Sequence, residues 1–248
     1  MNAANLPAPA GSAVITGASH GIGRATAARL AADGMKIVTI DRVAPSSLLP
    51  GERYIQADLL DPDQRDRALE VLRQLPDPAV LVNNVAIVKL APVETLSLAD
   101  LRISVDLNVA AALLCAQAVL PAMKRRAYGR IVNIASRSAL GKELRSAYAA
   151  SKAALIGMTR TWALELAAHG VTANCIGPGP VATEMFRAAN PEDSPQTRKI
   201  MQSIPVGRLG TPEEIAHVAA FFAHPMAGFV TGQVIYACGG MTVGLSHA

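Results

Sequence analysis

Short runs of branched apolar residues alternate along this chain with longer stretches of helical periodicity, and turn residues mark nearly every junction. Residues 13–16 read as a first strand, followed by a helix over residues 21–32 that Gly34 closes. Residues 36–40 form a second strand ending at Asp41, and residues 54–57 a third, weaker one. Asp61-Pro62 places an N-cap and a first-turn proline on a helix running to about Leu75. A fourth strand covers residues 79–82. Ser97 with Asp100 resembles a capping box opening a long helical stretch to about Arg126, which Pro121 should kink or interrupt. Residues 130–135 are a fifth strand, 146–169 a long helix stopped by Gly170, and 171–176 a sixth strand. Thr211-Pro212-Glu213-Glu214 starts a last helix, and residues 233–236 form a seventh strand. This alternation predicts an α/β fold, a doubly wound parallel sheet of seven strands with helices on both faces.

Composition agrees with that picture. Hydrophobic residues make up 51% of the chain but aromatics only 4%. The core must therefore come from Ala, Val, Leu and Ile, which suits helices packed closely on buried parallel strands. No repeat or linker divides the 248 residues, so one domain is expected over 1–248. Residues 1–11 read as a flexible tail, and 184–203, which contain Asn190-Pro191 and Ser194-Pro195, as a substrate loop with little regular structure.

Charge and cysteine usage exclude more than they suggest. The net charge is +4, but the basic residues are scattered, and the longest run, Lys124-Arg125-Arg126, falls at a helix end. Nucleic-acid binding needs a clustered stripe and is not expected. No apolar run approaches bilayer-spanning length on this reading, so no membrane partner is expected. Cys115, Cys175 and Cys238 have no metal-like spacing, and no metal site is expected. An odd number of cysteines without a leader pattern suggests reduced thiols in the cytoplasm.

The chemistry is concentrated at the ends of the strands. Thr16-Gly17-Ala18-Ser19-His20-Gly21-Ile22-Gly23 joins the first strand to the first helix. Glycines there allow a tight turn, a close backbone approach to a pyrophosphate and close helix–sheet packing, while the first helical amides face the anion. Asp41 closes the second strand 18 residues after Gly23, near the spacing expected of a ribose-binding acid. A carboxylate there accepts hydrogen bonds from ribose hydroxyls and repels a 2′-phosphate, which favours NAD. His20 and Arg42 could instead offer positive charge to a 2′-phosphate, so NADP stands as the less favoured cofactor. Tyr148 and Lys152, four residues apart, share one face of the long helix. A phenol is a poor base at neutral pH, and a neighbouring ammonium together with a cationic nicotinamide would lower its pKa.

The G-x-x-x-G-x-G spacing after Thr16, with Tyr148-x-x-x-Lys152 downstream, resembles the short-chain dehydrogenase/reductase family, and the resemblance runs from Ala13 to about Gly240. It implies a Rossmann-type fold and reversible hydride transfer between a nicotinamide cofactor and a carbonyl or secondary alcohol, with Tyr148 as acid/base. It further implies that Ser136 polarises the substrate oxygen, that Lys152 also binds the nicotinamide ribose, and that Asn108 completes a proton relay. Asp58 in Ala57-Asp58-Leu59-Leu60 matches an adenine-contacting aspartate, and Asn83-Asn84-Val85-Ala86 matches a cofactor segment in which Val85 and Ala86 replace smaller residues. Gly177-Pro178-Gly179-Pro180-Val181-Ala182-Thr183 matches the segment beside the nicotinamide, with the Val181 amide and the Thr183 hydroxyl on its carboxamide.

The resulting cofactor set is Gly17, Ser19, His20, Gly21, Ile22, Gly23, Asp41, Arg42, Asp58, Leu59, Asn84, Tyr148, Lys152, Pro178, Gly179, Val181 and Thr183. Ser136 precedes Tyr148 by twelve residues, one fewer than the family commonly has, and Ser138 competes for its role. The substrate could be a 3-oxoacyl compound or a small cyclic or aryl ketone, and Arg137, Lys142 and Arg145 raise the idea of an acidic one. A cofactor-binding protein without turnover, or an epimerase or dehydratase on the same scaffold, are the rival functions. The resemblance also implies a homotetramer or dimer.

Overall fold

The computed structural model describes residues 11–191 and 194–243. The tail expected over 1–11 lies outside the described residues except for Gly11, which is fixed: its carbonyl accepts the Lys36 amide at 3.2 Å.

Seven parallel strands form one sheet in the order β3-β2-β1-β4-β5-β6-β7. They are β1 (Ser12–Thr16), β2 (Lys36–Asp41), β3 (Arg53–Gln56), β4 (Pro78–Asn83), β5 (Gly129–Ile134), β6 (Val171–Ile176) and β7 (Val234–Ile235). The last is two residues long, yet backbone pairing continues past both ends: Cys175 N–H donates to the Gln233 carbonyl, and Gly179 N–H to that of Ala237.

Successive side chains on a strand point to opposite faces, so a sheet buried on both sides needs apolar residues at every position. Val14, Leu81 and Ile131 face one core, while Ala13, Ile15, Val80, Val82 and Val132 face the other. Helices α1 (Gly21–Ala32) and α8 (Pro212–Ala223) cover the second face. The first is covered by α2 (Pro62–Arg73), α4 (Ala111–Arg125) and α5 (Ser146–Leu166). α3 (Leu98–Val105) packs against α5. A hydrogen-bonded line from Asn83 to Asn133 (2.8 Å) to Thr159 (2.9 Å) ties β4 and β5 to α5 and sets the height of that helix over the sheet.

The caps act as the residue pattern predicts. The Asp61 carboxylate accepts the Gln64 amide, Ser97 accepts that of Asp100, and Thr211 with Glu214 forms a reciprocal capping box.

Three expectations are corrected. Pro121 does not interrupt its helix, because α4 runs through it to Arg125. The irregularity lies upstream, where Asp106–Ala110 widens into a π-turn between α3 and α4. Residues 184–203 are not irregular: α6 (Glu184–Ala189), capped by Thr183, and α7 (Pro195–Gln202), capped by Ser194, occupy much of the segment. Finally, Leu98–Arg125 is by length and composition long and apolar enough to cross a bilayer, contrary to the expectation that no run is. Its apolar residues serve the core instead: Cys115, Ala116, Val119 and Met123 are buried against the sheet.

Candidate active site

Because every strand is parallel, the residues that follow β1, β2, β4, β5 and β6 emerge on one edge, and the chain order reverses between β1 and β4. A crevice at that switch point is where open α/β sheets bind ligands.

The turn after β1 is built by backbone contacts that exclude side chains. Gly17 has φ +66°, and its amide donates to the Ile40 carbonyl at 2.8 Å. A Cβ on Gly23 would lie 2.2 Å from the Gly17 carbonyl oxygen and 2.6 Å from Asn84 Nδ2. Asn84 holds the turn from the other side, donating to the carbonyls of Thr16 (3.0 Å) and Gly17 (2.8 Å). Thr16, which the sequence reading passed over, accepts the Asn84 and Val85 amides on its hydroxyl. The opening amides of α1 have no partners within the helix, and a helix start at this glycine turn fits a pyrophosphate. His20 is the N-cap residue of α1 but its side chain makes no capping bond, and Ile22 packs into the core. Val85, which stands in place of a smaller residue, likewise packs against the core. Gly23→Ala is expected to weaken binding of the reduced nicotinamide nucleotide at least about tenfold and to lower the melting temperature, since overpacking against backbone costs about 1–3 kcal/mol. A fluorescence titration returning the wild-type Kd would remove this turn from the nucleotide site.

Asp41 ends β2 at 8% exposure. Its carboxylate accepts the Ser19 amide at 3.0 Å and the Val43 amide at 3.3 Å, and the Ser19 hydroxyl donates to the Val43 carbonyl. The acid is thus locked onto the turn with lone pairs to spare. Arg42 is exposed. Asp58 accepts the Leu60 amide at 2.9 Å, whereas the Leu59 side chain is buried in the core, leaving only its backbone for a ligand.

At the end of β5, the Ser136 hydroxyl accepts the Ser138 amide at 3.0 Å and lies close enough to the Tyr148 phenol to lower its proton affinity. Ser138 is buried, and Ser136 is the serine that acts on the phenol. Burial pushes the Tyr148 phenol above its ordinary value, while Ser136 and the charge of Arg145 pull it down. The expected depression by Lys152 is therefore not what the protein groups produce. Lys152 Nζ lies 5.7 Å from the centre of the Tyr148 ring and donates to the Ile134 carbonyl at 2.6 Å. With 2% exposure, its ammonium is lowered from 10.5 to about 8 by burial.

Asn108, 1% exposed, sits in the π-turn. Such turns recur at functional sites because they re-aim one side chain without ending the helix. Its carboxamide accepts the Ile87 amide (2.8 Å) and donates to the Ile87 carbonyl (3.0 Å) and to Ser151 Oγ (2.9 Å). Ser151 donates in turn to the Tyr148 carbonyl at 2.8 Å. This link was missed in the sequence, although Ser151 stands three residues after Tyr148 and so faces back along the same helix.

Residues 177–183 follow β6. The Pro178 carbonyl accepts the Arg137 amide (2.9 Å), which joins this segment to the Ser136 loop. Gly179 lies against Cys238, Val181 is buried and bridges to Gly210, and Thr183 caps α6. Among the described residues no group of three or more His, Cys, Asp or Glu could hold a metal.

A glycine cradle beside an acid at the end of β2, with a serine–tyrosine–lysine set on the adjoining strand and helix, defines a nucleotide-binding oxidoreductase. The comparisons agree. A family model described as enoyl-(acyl carrier protein) reductase matches residues 17–242. The chain is 38% identical to a 3-oxoacyl-(acyl-carrier-protein) reductase of Synechocystis over 93% of its own length and 96% of that protein's. It is 37% identical to the short-chain reductase protein NovJ of Streptomyces niveus, covering 92% of each. A solved structure from Beutenbergia cavernae, described as an NAD(P)-dependent gluconate 5-dehydrogenase with bound NADP, matches at TM-score 0.87 and 34% identity, covering 95% of this chain and 98% of that one. The chain belongs to the short-chain dehydrogenase/reductase family and is an oxidoreductase acting on alcohol and keto groups.

Proposed function

We propose that the protein interconverts a ketone and a secondary alcohol using NAD(H), with Tyr148 as acid/base and Ser136, Lys152 and Asn108 as its partners. The observation that carries this reading is the Lys152 ammonium 5.7 Å from the centre of the Tyr148 ring, with Ser136 beside the same phenol and favouring its phenolate. When bound, the nicotinamide supplies or takes the hydride. Tyr148 gives its hydroxyl proton to the substrate oxygen, or receives one in the reverse direction. Ser136 donates to that oxygen and steadies the developing charge. Lys152 has N–H donors left beyond its bond to Ile134 for a ribose hydroxyl. Asn108, through Ser151, holds the first turn of α5 in place. A 3-oxoacyl compound fits the name of the Synechocystis relative, with a small cyclic or aryl ketone as the alternative.

The preference for NAD rests on Asp41, whose negative charge faces the place of a 2′-phosphate. A second reading, NADP, is favoured by the nucleotide in the Beutenbergia structure and by the exposed Arg42. An absorbance assay with both nucleotides over a panel of secondary alcohols and ketones decides between them. Asp41→Ala removes the repulsion and frees two backbone amides, so the NADH-over-NADPH ratio of kcat/KM is expected to fall at least about tenfold, a charge–charge effect of about 1.4 kcal/mol. An unchanged ratio, or a wild-type preference for NADPH, would overturn the role given to Asp41.

A further inference from the structure

Between Ser136 and Tyr148 the chain gathers three cations, Arg137, Lys142 and Arg145, against one carboxylate, Glu143. The backbone holds them together. Arg137 N–H is tied to the Pro178 carbonyl, and Ala91 N–H donates to the Leu144 carbonyl at 3.0 Å, forming a bridge that places Ala91 alongside Arg145. Leu144 has φ +60°, a left-handed conformation that costs a side chain of its size and persists where the surroundings impose it. It stands immediately before Arg145, which is the N-cap residue of α5. All three cations are only partly exposed, yet among the described residues none is in an ion pair or a side-chain hydrogen bond.

Two effects show that the charges feel one another and the reaction centre. Lys142 is held below the usual lysine range by burial first and then by repulsion from Arg145 and Arg137. The field of Arg145 also reaches the Tyr148 phenol. Solvated surface charges of one sign spread apart. Here three share one half-buried loop, and among the described residues their side chains have no hydrogen-bond acceptor.

We propose that Arg137, Lys142 and Arg145 form an anion subsite beside the reactive carbonyl, so that the preferred substrate is a ketone bearing a carboxylate or a phosphate ester. The inference rests on Ser136 and Tyr148 holding the substrate oxygen, because that places the subsite at the substrate's edge. Guanidinium forks bind carboxylate and phosphate through paired hydrogen bonds.

The test uses the nucleotide-bound protein on matched pairs: oxo acids of graded length against their methyl esters, and dihydroxyacetone phosphate against dihydroxyacetone. The charged member is expected to win by at least about tenfold in kcat/KM, mostly through KM and less so at high salt. The acid and phosphate arms identify which anion is taken. In Arg145→Gln and in Lys142→Gln that preference should fall at least about threefold, with partial return in Arg145→Lys. Equal rates on charged and neutral partners would overturn the subsite and leave the hydride-transfer reading standing. If no ketone or alcohol is turned over, that reading fails instead. Calorimetric titration with succinate and inorganic phosphate then tests the subsite alone, and equal affinity in wild type and Lys142→Gln would overturn it.

Discussion

Replacing Tyr148 by Phe is expected to lower turnover at least about a hundredfold, a loss of about 2.7 kcal/mol of transition-state stabilisation, while NADH binding survives. The ring stays and only the hydroxyl goes, and that hydroxyl lies beside Ser136 rather than in the nucleotide cradle. Folding should therefore be little changed and the defect should lie in kcat. The pH dependence has a definite sign. Burial holds the phenol above its ordinary value, so the protonated form that ketone reduction needs persists through neutral pH and is lost as pH rises through the phenol's pKa. Alcohol oxidation needs the phenolate and should rise over the same range. The protein groups that lower the phenol, Ser136 and Arg145, do not outweigh burial, and a cationic nicotinamide, when bound, would lower it further. Steady-state rates of wild type and Tyr148→Phe in both directions, from neutral to alkaline pH, check this. A variant with near-normal kcat would remove Tyr148 from the chemistry.

Legibility in the sequence followed locality. The boundaries of α1 and β6 and the caps at Asp61, Ser97 and Thr211 were readable because each depends on a few adjacent residues whose side chains act on their own backbone. The glycine cradle was readable for the same reason. The π-turn at Asn108 was not, since its cause is the fit of one buried carboxamide to Ile87 and Ser151, two segments distant in sequence. The helices α6 and α7 were hidden by the prolines taken as breaks. Pro195 in fact follows a capping serine, a helix start that could have been recognised. The direction of the Tyr148 pKa was out of reach because burial is set by the whole fold. The clustering of Arg137, Lys142 and Arg145 could be suspected from spacing, but not their lack of partners.

Lys152→Met is expected to give a protein that is more stable at neutral pH and nearly inactive. The ammonium is lowered from 10.5 to about 8, first by burial, with the neighbouring Cys175 thiol acting slightly the other way. At about 1.4 kcal/mol for each tenfold change in proton affinity, confining the charge there costs about 3 kcal/mol. Methionine keeps most of the volume of the side chain and carries no charge. Against that gain stands the lost hydrogen bond to Ile134, worth about 1–2 kcal/mol, so a net gain of about 1–2 kcal/mol remains. In a domain of this size that is roughly 2–8 °C in melting temperature. The sign with pH follows from proton counting. Between about pH 8 and 10.5 the unfolded chain binds more protons at this lysine than the folded one, so wild-type stability from this group rises with pH. The penalty is fully present below about 8 and gone above 10.5, and the advantage of the variant should shrink across that window. Catalysis should fall at least about a hundredfold, because the Lys152 ammonium lies 5.7 Å from the centre of the Tyr148 ring and its removal takes a donor and a charge from the reacting phenol. Melting curves at several pH values, read beside kcat/KM, test both halves. A variant that melts lower than wild type at pH 7 would show that Lys152 stabilises the fold, and one with wild-type kcat/KM would show that its charge is not used in the reaction.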